Sequence, residues 1–458
     1  MSKQFDYIDA NADRFKSELF ELLRIPSVST DSAAKGDVRK AAEFLLERLT
    51  EAGMEDVRIV DTPGHPVVLG KHLKAGADKP TVLIYGHYDV QPPDPLNLWT
   101  SPPFEPVEKD GKVFARGASD DKGQAYIHVK AIESWLKTGG ELPVNVKIIL
   151  EGEEEIGSPN LVPFLKEHKK ELECDMVLVS DTAMFAKDTP SITYGLRGLA
   201  YMELEVFGPD RDLHSGAYGG ALTNPLNALC EIVAKLKDEN GVIQIPGFYD
   251  DVVDLSANER EAYGKLPFDE EGWKSSIGIT EVSGEEGYST LERKSARPTL
   301  DMNGMWGGYQ GEGAKTVLPA EAGAKISMRL VPNQHPDTIA ELFTKHIEKI
   351  KPAGVRVKVT AHHGGHPAMT PLDFYGLKAA GKAYKDVYGK EPLFAREGGS
   401  IPIVADFENV LGANTILMGF GLNTDAIHSP NEHFSLDDYH RGIKTSARFL
   451  EVLPEFEK

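Results

Sequence analysis

Cysteine is nearly absent: two in 458 residues, Cys174 and Cys230. A single pair cannot build a disulfide framework. Both sit in apolar or helical contexts, so they are expected to be buried free thiols in a reducing compartment. Basic residues are outnumbered, 50 against 71 acidic, for a formal net charge of −21. That balance disfavours nucleic acid or an anionic membrane as partner, because each needs a basic face. No apolar run approaches the roughly 20 residues of a membrane-spanning helix. The opening Met1-Ser2-Lys3-Gln4-Phe5-Asp6 also lacks the basic-then-apolar form of a signal peptide. A cytoplasmic protein is therefore expected, with no nucleic-acid and no membrane partner. No internal repeat or low-complexity segment is visible. What remains, 41% hydrophobic and 26% charged, is an ordinary globular composition with chain enough for two domains.

Four apolar runs that read as buried strands are each followed closely by metal-type ligands. Residues 81–85 (TVLIY) lead into Gly86-His87-Tyr88-Asp89, and 144–150 (VNVKIIL) into Glu151-Gly152-Glu153-Glu154-Glu155. Residues 176–179 (MVLV) lead into Ser180-Asp181, and 415–420 (TILMGF) precede His428 by a short loop. Continuous apolar strands between helical stretches predict a parallel sheet buried on both faces. Such sheets bind ligands at the carboxyl ends of their strands, so these side chains would converge on one crevice.

Helical spacing over 11–23, 37–52 and 123–136, with strands between, predicts a doubly wound, mostly parallel α/β sheet. The character changes near residue 197. Residues 199–207 alternate, with Met202, Leu204 and Val206 on one face and Glu203 and Glu205 on the other. Residues 324–330 and 355–361 alternate too, and 225–237 and 335–350 read as helices. This predicts a smaller α+β domain, an antiparallel sheet with helices on one face. After residue 371 the first pattern returns. The expected organisation is a discontinuous domain, 1–197 and 367–458, carrying an inserted domain, 198–366.

The candidate ligands have ordinary readings too. His87 and Asp89, two apart on a strand end, share a side. Asp89 could hold one imidazole nitrogen and free the other for a metal, or both could be exposed loop residues. In Arg116-Gly117-Ala118-Ser119-Asp120-Asp121-Lys122-Gly123, an acid could bind metal or cap the next helix. The acidic run 151–155 could be a solvated face. It follows an apolar strand, however, and a carboxylate buried there would call for a cation. Asp181 could be an N-cap, and His428 a satisfied loop histidine. Taken together, two histidines and several carboxylates suit a dinuclear site. Three negatives from Asp120, Glu155 and Asp181 plus one hydroxide balance two divalent cations. A water acidified by two cations is a nucleophile near neutral pH, which points to hydrolysis of a carbonyl compound.

These motifs, with Asp212-Leu213-His214-Ser215-Gly216, Lys315-Thr316-Val317-Leu318-Pro319, Arg329-Leu330-Val331-Pro332-Asn333 and Arg396-Glu397-Gly398-Gly399-Ser400, resemble the M20 metallopeptidase family. The similarity is to its carnosinase-like cytosolic dipeptidase branch, and it runs in order from His87 to past His428. One departure is Ala115, where the branch commonly has Gly. The resemblance implies two divalent cations, zinc or manganese, one held by His87, Asp120 and Asp181 and the other by Asp120, Glu155 and His428. It implies Glu154 as general base and acid, Asp89 orienting His87, and a cis peptide between Asp120 and Asp121. It also implies that the inserted domain is a lid and dimerisation domain, whose His214 completes the partner's site in a homodimer. Arg329 would clamp a substrate carboxylate, helped by Thr316, His363, Gly399 and Ser400. The activity so implied is hydrolysis of dipeptides or very short peptides with a free carboxylate. The alternatives are an N-acyl or N-carbamoyl amino acid amidohydrolase on the same fold, and a non-enzymatic binding protein.

Overall fold

The structure is a computed structural model and describes residues 2–456. The chain divides into two compact units. One comprises the stretch ending at Tyr194, Thr370–Ala395 and the stretch from Asp406. The other comprises Gly195–Met369 and Arg396–Ala405. Arg396–Ala405 groups with the second unit although the chain on either side of it belongs to the first. Arg197 explains this locally, since its Nε donates to the Gly398 carbonyl at 2.9 Å and its backbone N–H to that of Gly399 at 3.2 Å.

The first unit is the expected doubly wound α/β sheet. Its strands run in the order Glu55–Val60, Val67–His72, Asn145–Glu151, Thr81–His87, Met176–Val179, Asn414–Met418, Ser191–Leu196. The last of these ends in the second unit. The four central strands, Asn145–Glu151 to Asn414–Met418, are parallel, and the outer pairings are antiparallel. Alternate residues of the central strands bury on opposite faces. Val82, Ile84, Val146, Ile148, Met176 and Leu178 join the large core under the helices. Leu83, Tyr85, Ile149, Val177 and Val179 are buried on the other side, where Tyr85 packs edge-on against Phe407 at 5.2 Å. Burial on both faces is why these segments read as unbroken apolar runs.

The helix expected over 123–136 is found as Lys122–Thr138, and its residues from Lys122 to Ser134 are all buried. Its polar side chains survive there because each has a partner. Lys122 donates to the carbonyls of Leu22 (3.3 Å) and Ile25 (2.6 Å), at the end of the helix Ala12–Leu23. His128 bridges the hydroxyls of Ser180 and Ser446, each at 2.8 Å. Lys130 lies between Glu18 and Glu133.

The second unit holds a four-stranded antiparallel sheet, ordered Thr299–Gly307, Glu321–Leu330, Gly198–Phe207, Arg356–Gly365. Met202, Leu204, Val206, Ala324, Ile326 and Met328 pack under the helices Pro225–Ala234 and Pro336–Ile350. The acidic stretch 250–287 forms two short helices, Ala257–Gly264 and Glu270–Ile277. It is gathered around the buried Arg297, which forks onto Glu285 (2.7 and 2.6 Å) and meets Asp254 at 2.7 Å. The cysteine expectation is corrected. Cys174 is half-buried and Cys230 exposed, on the solvent side of its amphipathic helix. Among the described residues no helix is long and apolar enough to cross a membrane.

Candidate metal centre

Parallel register puts the carboxyl ends of the central strands on one edge, with His87 opposite Glu151, and Val179 paired with Tyr85 and Leu417. His87 is fully buried. Its Nδ1 faces Asp89, 3.1 Å from the backbone carbonyl and 3.4 Å from Oδ1. Its Nε2 lies 3.1 Å from Asp120 Oδ1 and 3.9 Å from Asp181 Oδ2. The other oxygen of Asp120 is 2.9 Å from His428 Nε2, which is 3.3 Å from Glu155 Oε2. The seven candidates His87, Asp89, Asp120, Glu154, Glu155, Asp181 and His428 thus all lie at this edge of the first unit.

Two local devices shape the edge. Asp120 follows an irregular loop and precedes the helix Lys122–Thr138, and the Asp120–Asp121 peptide is cis. Gly117 there has φ +83°, a conformation that favours glycine, and a Cβ on Gly123 would lie 1.9 Å from the Ala118 carbonyl. Asp89 does more than face His87. Its two carboxylate oxygens accept the backbone N–H groups of Glu154 (3.2 Å) and Glu155 (3.1 Å). The acidic run divides its labour further. Glu151 accepts from the Tyr85 and Ser158 hydroxyls, and Glu153 accepts from the His65 amide and Asn160.

The site is an electrostatic well. Burial and the neighbouring Asp120 and Asp121 carboxylates push Asp181 far above the usual carboxylate range. Burial also lifts Glu154 to about 7, with Glu155, Asp120 and Asp89 adding and His87 opposing. Hydrogen bonds to Asp120 and Glu155 raise His428 to about 10. Asp120 itself is held low, its burial outweighed by hydrogen bonds from His428 and His87. A cluster that pulls protons onto histidines this strongly attracts a divalent cation in the same way.

The donor set fits metal. His87, Asp120 and Asp181 each offer a ligand atom within 4.8 Å of the others, and so do Asp120, Glu155 and His428. Ligands about 2.1 Å from a tetrahedral zinc lie about 3.4 Å apart. The measured 2.9, 3.1, 3.3 and 3.9 Å bracket that spacing. Asp120 belongs to both groups, one oxygen turned to each histidine.

Several supporting residues escaped the sequence reading. Gln91 Nε2 donates to Glu155 Oε2 at 2.6 Å; its one signal is its place two residues beyond Asp89. Glu432, fully buried, grips the loop before Asp120, and Gln124 ties Ser119 to the Phe420 and Gly421 amides. Burial pushes the Glu432 carboxyl up to about 7, against the pull of Arg116 and the Gly117 and Ser119 amides.

The other six candidates lie in the second unit. His214 is exposed and its Nδ1 accepts from the Gly216 (3.0 Å) and Ala217 (3.2 Å) amides, which leaves Nε2 to carry the proton. The Thr316 carbonyl accepts from the Ser215 amide beside it at 3.1 Å. Arg329 is half-buried and donates to Ser400 Oγ at 2.8 Å. The Gly399 carbonyl takes the Arg197 amide, and His363 stacks on Tyr201 with ring centres 5.0 Å apart. Burial, then the charge of Arg329, lowers Arg197 to about 10. Asp301 is the carboxylate whose charge acts on both arginines.

The sequence matches the model of peptidase family M20/M25/M40 over residues 83–452. A Cys-Gly metallodipeptidase of Schizosaccharomyces pombe is 36% identical, covering 99% of this chain and 98% of that protein. The human Beta-Ala-His dipeptidase is 32% identical, covering 98% and 92%. Among solved structures, an M20 family metallo-carboxypeptidase from Sulfolobus solfataricus superposes with a TM-score of 0.84 at 36% identity, covering 96% of this chain and 99% of that one.

Proposed function

We propose that this chain, which belongs to peptidase family M20/M25/M40, is a di-metal hydrolase that cleaves dipeptides or very short peptides with a free carboxylate. The observation that carries the reading is the pair of three-residue ligand groups joined through Asp120. His87, Asp120 and Asp181 would hold one cation and Asp120, Glu155 and His428 the other, zinc first and manganese as the alternative. Bound there, the ions supply Lewis-acid polarisation of the scissile carbonyl and acidify the attacking water. Glu154 would take the proton of the attacking water and return it to the leaving amine. Asp89 fixes the Glu154 backbone through its amide. His214, with its proton on the outward Nε2, donates to the tetrahedral oxygen, a contact typically worth about 3 kcal/mol.

Arg329 holds the substrate carboxylate, with Ser400 setting the guanidinium and Thr316, His363 and Gly399 bordering the same end. We assign the protein to a homodimer in which His214 serves the partner's site. Mixing a His214→Ala subunit with a Glu154→Ala subunit should then restore turnover, and a fully active monomer in sedimentation would refute it. A cytoplasmic setting belongs to the same proposal and is supported by the scarcity of cysteine.

The N-acyl amino acid reading is the weaker one, because the Schizosaccharomyces pombe and human relatives are named for dipeptides and the Sulfolobus solfataricus structure for a carboxypeptidase. A panel of dipeptides, tripeptides and N-acetyl amino acids assayed with zinc- or manganese-loaded protein tests the substrate class. Dipeptides should be turned over and acetylated amino acids left intact; the reverse order would overturn the assignment. Glu154→Gln should keep both ions and lose turnover, and loss of an ion would contradict its role as base.

A further inference from the structure

Asp120 must present each carboxylate oxygen to a different histidine, yet it sits in an irregular loop. We propose that Glu432 is the positioning residue that holds this loop against the segment bearing His428, and thereby sets the spacing of the second ligand group. The inference rests on the di-metal reading above.

Glu432 has no solvent exposure, and four donors converge on its carboxylate. Oε2 accepts from Arg116 Nη1 at 2.7 Å and from the Gly117 amide at 2.9 Å. Oε1 accepts from the amides of Ser119 at 2.9 Å and of Asp120 itself at 3.1 Å. One side chain therefore fixes the backbone on which the shared ligand stands. It does so from the loop that carries His428, four residues earlier.

That loop is closed by contacts with the same partner. Asp425 Oδ2 accepts from the Leu422 amide at 2.8 Å and from Ser119 Oγ at 3.2 Å. The Asp425 carbonyl takes the His433 amide at 2.9 Å, and the Glu432 carbonyl takes the Ala115 amide at 3.1 Å. Ala426 (φ 57°) and His428 (φ 56°) adopt left-handed backbone, which non-glycine residues keep only where the surroundings impose it. Holding two distant loops in register from a buried carboxylate is what outer-shell groups do for metal ligands, and their removal typically weakens metal binding about 10–100-fold.

A glutamine at 432 would fill the same volume, but its amide nitrogen would face N–H donors on one side. Two of the four hydrogen bonds would be lost. Aspartate keeps the charge and falls one methylene short.

The test titrates Zn²⁺ alone into metal-stripped full-length protein against a competing chelator, with thermal melts in parallel. Wild type should bind two ions; failure there sinks the di-metal reading and this inference with it, whereas failure confined to the variants sinks this inference alone. Glu432→Gln and Glu432→Asp should bind the ion at His87, Asp120 and Asp181 within a few-fold of wild type. They should bind the ion at Asp120, Glu155 and His428 about 10–100-fold more weakly. Their zinc-dependent gain in melting temperature should shrink accordingly. Two ions bound with wild-type affinity, equal weakening of both, or a melting loss independent of zinc would overturn the proposal. So would failure of both variants to fold, which would make Glu432 a folding determinant only.

Discussion

Asp89 carries two tasks on one buried carboxylate, so Asp89→Asn should damage more than its near-identical shape suggests. In the wild type its oxygens take the Glu154 and Glu155 amides at 3.2 and 3.1 Å, and Oδ1 also lies 3.4 Å from His87 Nδ1. Asparagine has one acceptor oxygen. One amide would then face a second N–H donor at a position with no solvent exposure. A hydrogen bond to a charged group contributes about 1.5–3 kcal/mol, and a buried donor left unpaired costs about 1–3 kcal/mol. The expected loss is about 2–4 kcal/mol of unfolding free energy, measured by urea denaturation of the zinc-loaded protein. Because Glu155 is the proposed ligand and Glu154 the proposed base, the same change should also lower zinc affinity about 10-fold or more and reduce kcat more than it raises KM. Stability within about 0.5 kcal/mol of wild type together with unchanged zinc affinity would refute the reasoning.

Further predictions concern charge. Burial lifts the Glu151 carboxyl to about 8 despite hydrogen bonds from Tyr85 and Ser158. Its folded pKa thus exceeds its unfolded value. The folded state keeps a proton the unfolded chain releases, so stability is full below about pH 4.5, falls as pH rises toward about 8, and levels off above, a loss of order 4–5 kcal/mol. Glu151→Gln should remove most of that fall, and parallel stability–pH curves for the two proteins would contradict it. Arg329→Lys should raise KM for dipeptides by 10-fold or more with little change in kcat, since an ammonium cannot reproduce the guanidinium fork. An equal KM would remove Arg329 from substrate binding. Dipeptide amides should be poor substrates of the wild type, and amides hydrolysed as fast as free dipeptides would argue against a carboxylate clamp.

What the sequence made legible follows from what periodicity can carry. Buried central strands leave unbroken apolar runs, so their carboxyl ends, and with them His87, Glu155, Asp181 and His428, could be located without coordinates. The alternation of 199–207 likewise announced a half-exposed strand, found as Gly198–Phe207 with every second residue buried. Glu432 and Gln91 could not be read, because they act on the loop before Asp120 and on the candidate ligand Glu155 from other segments, and each looks like any loop polar residue. The full burial of the helix Lys122–Thr138 was hidden for a related reason. Lys122, Lys130 and Glu133 mark a solvent face by composition, but they are paired inside the core by groups such as the Ile25 carbonyl and Glu18. Arg396–Ala405 continues the strand Leu393–Glu397, which begins in the first unit, and its membership in the second rests on single contacts such as Arg329 to Ser400. Cys230 was expected inside from its apolar neighbours, but they occupy the opposite side of its helix.

The sharing of Asp120 between two ions is tested most directly by counting bound zinc per chain, by elemental analysis after equilibration with Zn²⁺ and removal of free metal. The structure predicts two ions in the wild type, one in Glu155→Ala and none in Asp120→Ala. Asp120→Ala that still retains an ion with wild-type affinity, or Glu155→Ala that retains both, would contradict it.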